Sequence, residues 1–189
     1  MIYQESVLIP KSRIAVLIGE KGAAKKMIEK TGNVRLRIDS KTGNVIVKGK
    51  DALSAWQGVN VVRAVARGFP PEVARKLFKP DYSYESISLE NYAKNKNDLI
   101  RIRGRLIGTS GKARDRIQFL TQVQIRVQGK TVAILGEAQR VALARHAIDM
   151  LLSGSPHSRV FAFLKEQTEG EAQAEKVASA HIESDKTEK

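Results

Sequence analysis

The chain has 189 residues, room for one or two domains of ordinary size, and its 33 Lys and Arg against 20 Asp and Glu give a formal charge of +13. That surplus favours a polyanionic partner, either nucleic acid or an anionic membrane surface, while the absence of cysteine excludes a disulfide framework, Cys-ligated zinc and a thiol nucleophile. The apolar runs are too short for a transmembrane helix, the first residues lack a secretory pattern, and the expectation is a soluble, cytoplasmic protein whose 42% hydrophobic residues build real cores.

In chain order, Ser6–Pro10 reads as a short strand ended by proline, and Ser12 as the cap of a brief helix with Ile14, Leu17 and Ile18 on one face. The chain breaks at Gly19-Glu20-Lys21-Gly22, and Ala23–Lys30 reads as a second helix rich in strong helix formers. Asn33–Asp39 alternates as a strand, Lys41–Asn44 is a turn and Val45–Lys48 the returning strand. Asp51–Arg67 carries Leu53, Trp56, Val59, Val62 and Ala66 at helical spacing, which predicts a helix with Trp56 in the core. Pro71–Phe78 is a short extra helix.

The same order then recurs. Tyr84–Leu89 is a strand. Leu99–Arg103 alternates like one but reads as helix, because Asn97 and Asp98 precede it as caps; Gly104 within it predicts close packing. Lys112–Leu120 is the next helix, Gln122–Gln128 and Thr131–Leu135 a hairpin, Glu137–Leu152 a long helix and Pro156–Gln167 another short extra one. Residues 166–189 hold seven acids against three bases, a net −4 that leaves +17 on residues 1–165; from about residue 170 the expectation is frayed helix or disorder.

The recurrence is an internal repeat. Residues 17–38 (LIGEKGAAKKMIEKTGNVRLRI) align with 106–127 (LIGTSGKARDRIQFLTQVQIRV) at an offset of 89 residues. The segments 68–78 and 154–164 correspond as well. Two α+β domains of the same strand-helix-helix-strand-strand-helix order are therefore expected, 1–80 and 81–168, followed by an acidic tail, 169–189.

Each Gly-x-x-Gly turn lets the backbone bend sharply and approach a ligand without a Cβ in the way, and the helix that opens there points N–H groups at an anion. One such turn is a weak signal; two at the same place in a duplicated unit, each after Leu-Ile and before a basic helix, are a strong one. Ile18-Gly19-Glu20-Lys21-Gly22 and Ile107-Gly108-Thr109-Ser110-Gly111-Lys112 resemble the signature of KH domains. The resemblance implies two tandem type I KH domains, each a three-stranded antiparallel sheet with helices on one face. It also implies a loop that clamps about four single-stranded nucleotides. The second half, through its AVxILG-like hairpin and closing Leu-Leu-Ser-Gly-Ser-Pro-His-Ser-Arg-Val, resembles the small-subunit assembly factors known as Partner of Nob and their Krr relatives. That implies binding near the 3′ end of small-subunit ribosomal RNA, presenting it to the Nob endonuclease. The first loop is intact, as in the archaeal branch.

The expected RNA contacts in the first copy are Ile18, Gly19, Glu20, Lys21, Gly22, Lys25, Lys26, Arg35 and Arg37. In the second they are Arg103, Arg105, Ile107, Gly108, Thr109, Ser110, Gly111, Lys112, Arg114, Arg116 and Arg126. Ile18 and Ile107 serve equally well as core, and the strand arginines as a plain exposed sheet face. Aromatic residues are 5% of the chain and none falls in the loops or second strands, which argues against RRM and OB stacking platforms. His146, His157 and His181 form no metal spacing, and no phosphate-binding P-loop or carboxylate pair is visible. No cofactor, metal, small-molecule substrate, membrane or enzymatic activity is expected. An exosome-like KH subunit and a protein-interaction scaffold are the competing readings.

Overall fold

The computed structural model describes residues 3–170; the residues of the expected acidic tail from 171 onward lie outside the described part. The first unit runs β1 (Tyr3–Leu8), α1 (Lys11–Ile18), a turn at Glu20–Gly22, α2 (Ala23–Gly32), β2 (Val34–Ile38), β3 (Asn44–Gly49) and α3 (Ala52–Ala66). It closes with α4 (Pro71–Ala74) and a 3-10 turn at Arg75–Phe78. The second runs β4 (Tyr82–Ser88), a turn at Leu89–Tyr92, α5 (Lys96–Ile107), a turn at Thr109–Gly111, α6 (Lys112–Thr121), β5 (Gln124–Gln128), β6 (Thr131–Glu137) and α7 (Ala138–Leu152). A last helix, α8, covers 157–170. Both sheets are antiparallel and three-stranded, ordered β1-β3-β2 and β4-β6-β5. The segment 99–103 is helical, as the repeat requires.

Three local expectations need correction. The first strand lies at 3–8 rather than 6–10, since Pro10 lacks an N–H for the ladder and serves as the N-cap residue of α1; Ser12 lies inside the first turn and caps nothing. At α5 the cap is Asn95, whose side chain accepts the Asp98 N–H at 2.9 Å, not Asn97 or Asp98. Trp56 is 55% exposed and Leu53 63%. The face of α3 that meets the first sheet is set by small residues: a Cβ on Gly58 would lie 2.7 Å from Val47, and one on Gly49 2.6 Å from the Ala55 backbone. An indole does not fit so close a contact, so Trp56 stands one turn-flank away.

The first sheet buries one face. Val34, Leu36, Val45 and Val47 point inward, while Arg35 and Arg37 stay exposed. The second sheet buries both. Val132 and Ile134 of β6 join the cluster formed with Ile102, Leu106, Ile117, Val141 and Ile148, whereas Ala133 and Leu135 join the cluster of the first unit. Between the sheets lies α3, apolar nearly all round, with Val59, Val61, Val62, Ala64 and Val65 all buried. Phe69 completes this contact edge-to-face on Tyr84, with ring centroids 6.4 Å apart.

Two guanidinium groups close the end of α3. Arg13 of α1 donates to the Val65 carbonyl at 2.8 Å and to the Phe69 carbonyl at 3.2 Å. Arg126 of β5 donates to the Gly68 carbonyl at 3.4 Å and lies over the Phe69 ring at 5.5 Å. Cations there complement the carbonyl end of the helix. Burial lowers the pKa of both, and for Arg126 the neighbouring charges of Arg114 and Arg13 act in the same direction.

Replacing Arg13 by Ala leaves the Phe69 carbonyl without its donor and the Val65 carbonyl with only the Gly68 N–H, and urea denaturation will register a loss of about 2 kcal/mol that Lys at this position does not restore. At the other end of α3, Asp51 accepts the Ser54 N–H at 2.7 Å, and that bond holds its carboxyl below the usual carboxylate pKa. The cap's contribution is therefore complete above about pH 4 and is lost as pH falls through the lower folded value. Asp51→Asn keeps a cap and flattens this part of the acid dependence in urea midpoints compared at neutral and acid pH.

Candidate nucleic-acid interface

The two Gly-x-x-Gly turns have the same backbone. Gly19 and Gly108 sit at φ/ψ of 73/172 and 71/176, Lys21 and Ser110 at 51/25 and 53/28, Gly22 and Gly111 at 80/15 and 82/1. Three of the four positions in each turn thus have positive φ, two held by glycine and one by a residue for which that region costs energy. The first glycine is required twice over: a Cβ on Gly19 would lie 2.6 Å from the Ala24 nitrogen, and one on Gly108 2.6 Å from the Ala113 Cβ. In each turn the second glycine donates its N–H back to the first, Gly22 to Gly19 and Gly111 to Gly108, both at 3.2 Å. The side chains of Glu20, Lys21, Thr109 and Ser110 are exposed at the tips.

Each second helix also reaches its edge strand in the same way. The Glu29 carboxylate accepts the Leu36 N–H at 2.8 Å, and the Gln118 side-chain oxygen accepts the Ile125 N–H at 2.7 Å. These two residues occupy equivalent repeat positions, and their pairing anchors β2 and β5 to the helices that follow the loops. The repeat alignment placed Glu29 opposite Gln118, but their role as acceptors for an edge strand becomes visible only with the register.

In the first unit a groove of about 740 Å³ lies between the end of α2, the start of β2 and the end of β3. It brings together the expected Lys26 and Arg35 with Lys30, Lys48 and Lys50, which the sequence reasoning passed over. Lys48 is the direct cross-strand partner of Arg35, and Ile46 of Arg37. A register counted outward from the turn would have found Lys48 on the arginine face. Lys25 lies 4.0 Å from Glu29, and Ile18 is half-buried against the core. Five cations around one groove, with its carboxylate already bonded to backbone, favour a polyanion.

The expected residues of the second unit divide. Arg103 lines a groove of about 830 Å³ with Ile100 of α5 and Lys130 of the β5–β6 turn, on the flank of α5 that also presents the half-buried Ile107. Arg114 pairs with Asp115 at 2.9 Å. Lys112 and Arg116 lie on the opposite flank, in a groove of about 570 Å³ that also includes Gly104, His157 and Phe161. Two arginines also bond elsewhere in the fold: Arg105, which lines the groove of about 570 Å³ as well, and Arg126. Arg105 donates to the Ser155 carbonyl at 2.6 Å and so ties down the segment before α8. Arg126 is spent on the end of α3. Nothing lies within 4 Å of a Cβ built on Gly104, so that glycine does not serve close packing. Among the described residues no helix is long and apolar enough to cross a membrane.

A family model described as a eukaryotic-type KH domain (KH-domain type I) matches residues 83–169. The KH domain-containing protein of Methanocaldococcus jannaschii is 44% identical over 167 residues, 86% of this chain and 73% of that protein. RNA-binding protein pno1 of Dictyostelium discoideum is 30% identical over 165 residues, 84% of this chain and 69% of that one. The fold also matches a chain in the crystal structure of an a/eIF2alpha–aDim2p–rRNA complex from Pyrococcus horikoshii OT3, with 39% identity and a TM-score of 0.81 over 89% of this chain and 96% of that chain. Identity and coverage of this order, joined to the geometry of the loops, make the chain a member of the archaeal Dim2/PNO1 family of KH-domain proteins.

Proposed function

We propose that the chain is an RNA-binding ribosome-biogenesis factor that holds single-stranded RNA on two KH domains, residues 1–80 and 81–168. Its target on this reading is the 3′ end region of small-subunit ribosomal RNA, which it presents to the Nob endonuclease. The observation that carries the reading is the shared backbone of the two Gly-x-x-Gly turns, each followed by a helix that anchors an edge strand. A relative named as an RNA-binding protein and a similar chain solved in a complex with rRNA support the same class of partner. Each domain takes about four nucleotides. Loop N–H groups, the exposed Lys21 and Lys112 and the half-buried Arg114 hold phosphates, while the edges of β2 and β5 read bases. Docking of the units through α3 joins two modest sites into one of higher affinity.

Fluorescence anisotropy with a labelled 3′-end RNA, a scrambled strand and a duplex tests this. The 3′-end strand will bind best, Glu20/Lys21→Asp/Asp and Thr109/Ser110→Asp/Asp will each weaken it about tenfold or more, and the logarithm of affinity will fall with that of salt by roughly 0.7 per phosphate neutralised. Equal binding of all three RNAs, untouched by either variant, would overturn the reading.

Alanine at Gly19 or Gly108 places a Cβ against the next helix at a positive φ. Thermal unfolding of either variant will show a loss of about 1–3 kcal/mol, together with weaker RNA binding.

A further inference from the structure

The groove of about 570 Å³ lies on the flank of α5 and α6 turned away from the groove that holds Arg103. Three elements wall it: Gly104, Arg105 and Gly108 at the end of α5, Lys112 and Arg116 on α6, and His157 and Phe161 on α8. The third wall is fixed in place. Val160 and Leu164 of α8 are fully buried, the His157 Nε2 lies 2.8 Å from the Arg105 carbonyl, and Arg105 holds Ser155 in turn.

Gly104 stands in the interior of a helix, where glycine is less favourable than alanine. Its backbone does not have positive φ, and a Cβ would meet open space. Neither strain nor packing asks for it; its effect is to leave the floor of the groove clear opposite Phe161.

The first unit serves as an internal control. At the repeat offset, Ala15, Ala23 and Met27 stand where the second has Gly104, Lys112 and Arg116. The segment after α3 places Pro71 and Arg75 where the segment after α7 places His157 and Phe161. The loops share one backbone, yet here all five residues differ: a methyl removed at Gly104, two cations gained on α6, and Pro71 and Arg75 replaced on the wall by an imidazole and an aromatic ring. That combination suits a planar, uncharged ring attached to an anion.

We propose that this groove is a pocket for one unpaired nucleobase of the strand held by the Gly108–Gly111 loop. Its ring stacks on Phe161 above Gly104, and its phosphate rests between Lys112 and Arg116. The inference rests on the proposal that the chain binds single-stranded RNA. Gly108 and Thr109 belong to both the loop and this pocket, so a base turned over the loop reaches it without a gap in the strand. The second unit then selects at a position outside the groove between helix and edge strand, and the first unit does not.

The test uses single strands of the 3′-end sequence, about ten nucleotides long, with 2-aminopurine in place of each base in turn. They are bound to the wild type and to the Gly104→Leu, Phe161→Ala and Thr109/Ser110→Asp/Asp variants. One position will be quenched by the wild type and released by both Gly104→Leu and Phe161→Ala, with affinity lowered about tenfold. Removing that base from the RNA will cost the wild type a similar factor and cost Gly104→Leu little more. Gly104→Leu adds a good helix former in open space, so its melting temperature will not fall, which separates blockage of the pocket from unfolding if Phe161→Ala is destabilised. Binding that is lost in the loop variant but unchanged by Gly104→Leu overturns the pocket, also if a polyglutamate peptide is the ligand that responds to Gly104. A wild type that binds none of the strands overturns the RNA reading itself.

Discussion

Val132 and Ile134 of β6 point into the helices of their own unit, while Ala133 and Leu135 point the other way, into the cluster built around α3. A strand buried on both faces cannot belong to an isolated half, because the outer face of its sheet would be an apolar surface in water. Each unit is also small enough that its own core supplies little margin. The contact through α3 therefore stabilises both halves at once, and Arg13 and Arg126 refine it. They bring a guanidinium from each unit to the same helix end, where the partly buried carbonyls of Gly68 and Phe69 would otherwise lack partners. Arg13 belongs to the helix that ends in the first Gly-x-x-Gly turn, and Arg126 to the edge strand beside the second. The fixation of the halves thus reaches directly into the elements that carry the candidate site.

At the site the chain stores conformational strain where a ligand would approach. Lys21 and Ser110 are held left-handed between two glycines, in turns that the second glycine closes by donating its N–H to the first. Glu29 and Gln118 then hold the edge strands at a fixed distance from those helices. The two units diverge outside this shared frame. The first gathers lysines at the far end of α2 and over the β2–β3 pair, and the second gathers its cations around the loop and beside α8.

The order of elements was legible because period and punctuation agreed: two Gly-x-x-Gly turns, two hairpins and an offset of 89 residues left little freedom. The repeat even decided the ambiguous 99–103 segment, where alternation alone pointed to a strand. The start of the first strand and two helix caps differ locally from the pattern, and the remaining differences concern surfaces between elements. Helical spacing placed Trp56 on an apolar stripe, but the stripe that packs is the one containing Ala55 and Gly58, selected by how closely a sheet approaches. Arg105 and Arg126 carried the right charge beside the right loop, and their partners are carbonyls at the end of α3 and before α8, more than 45 residues away in sequence. Gly104 suggested close packing, yet a Cβ there would meet open space, in a groove closed by a helix whose placement no local pattern encodes. The loop itself was readable to the residue, since its chemistry is local.

The exposed face of the first sheet carries Arg35, Arg37 and Lys48, whereas the corresponding face of the second is covered by α3 and Phe69. The molecule is thus a stack of alternating sheets and helical layers with one polar end. A third repeat added there would have to desolvate these three cations, at a cost that its apolar contacts would first have to exceed. The charged sheet thus plays the part that a capping repeat plays in a solenoid.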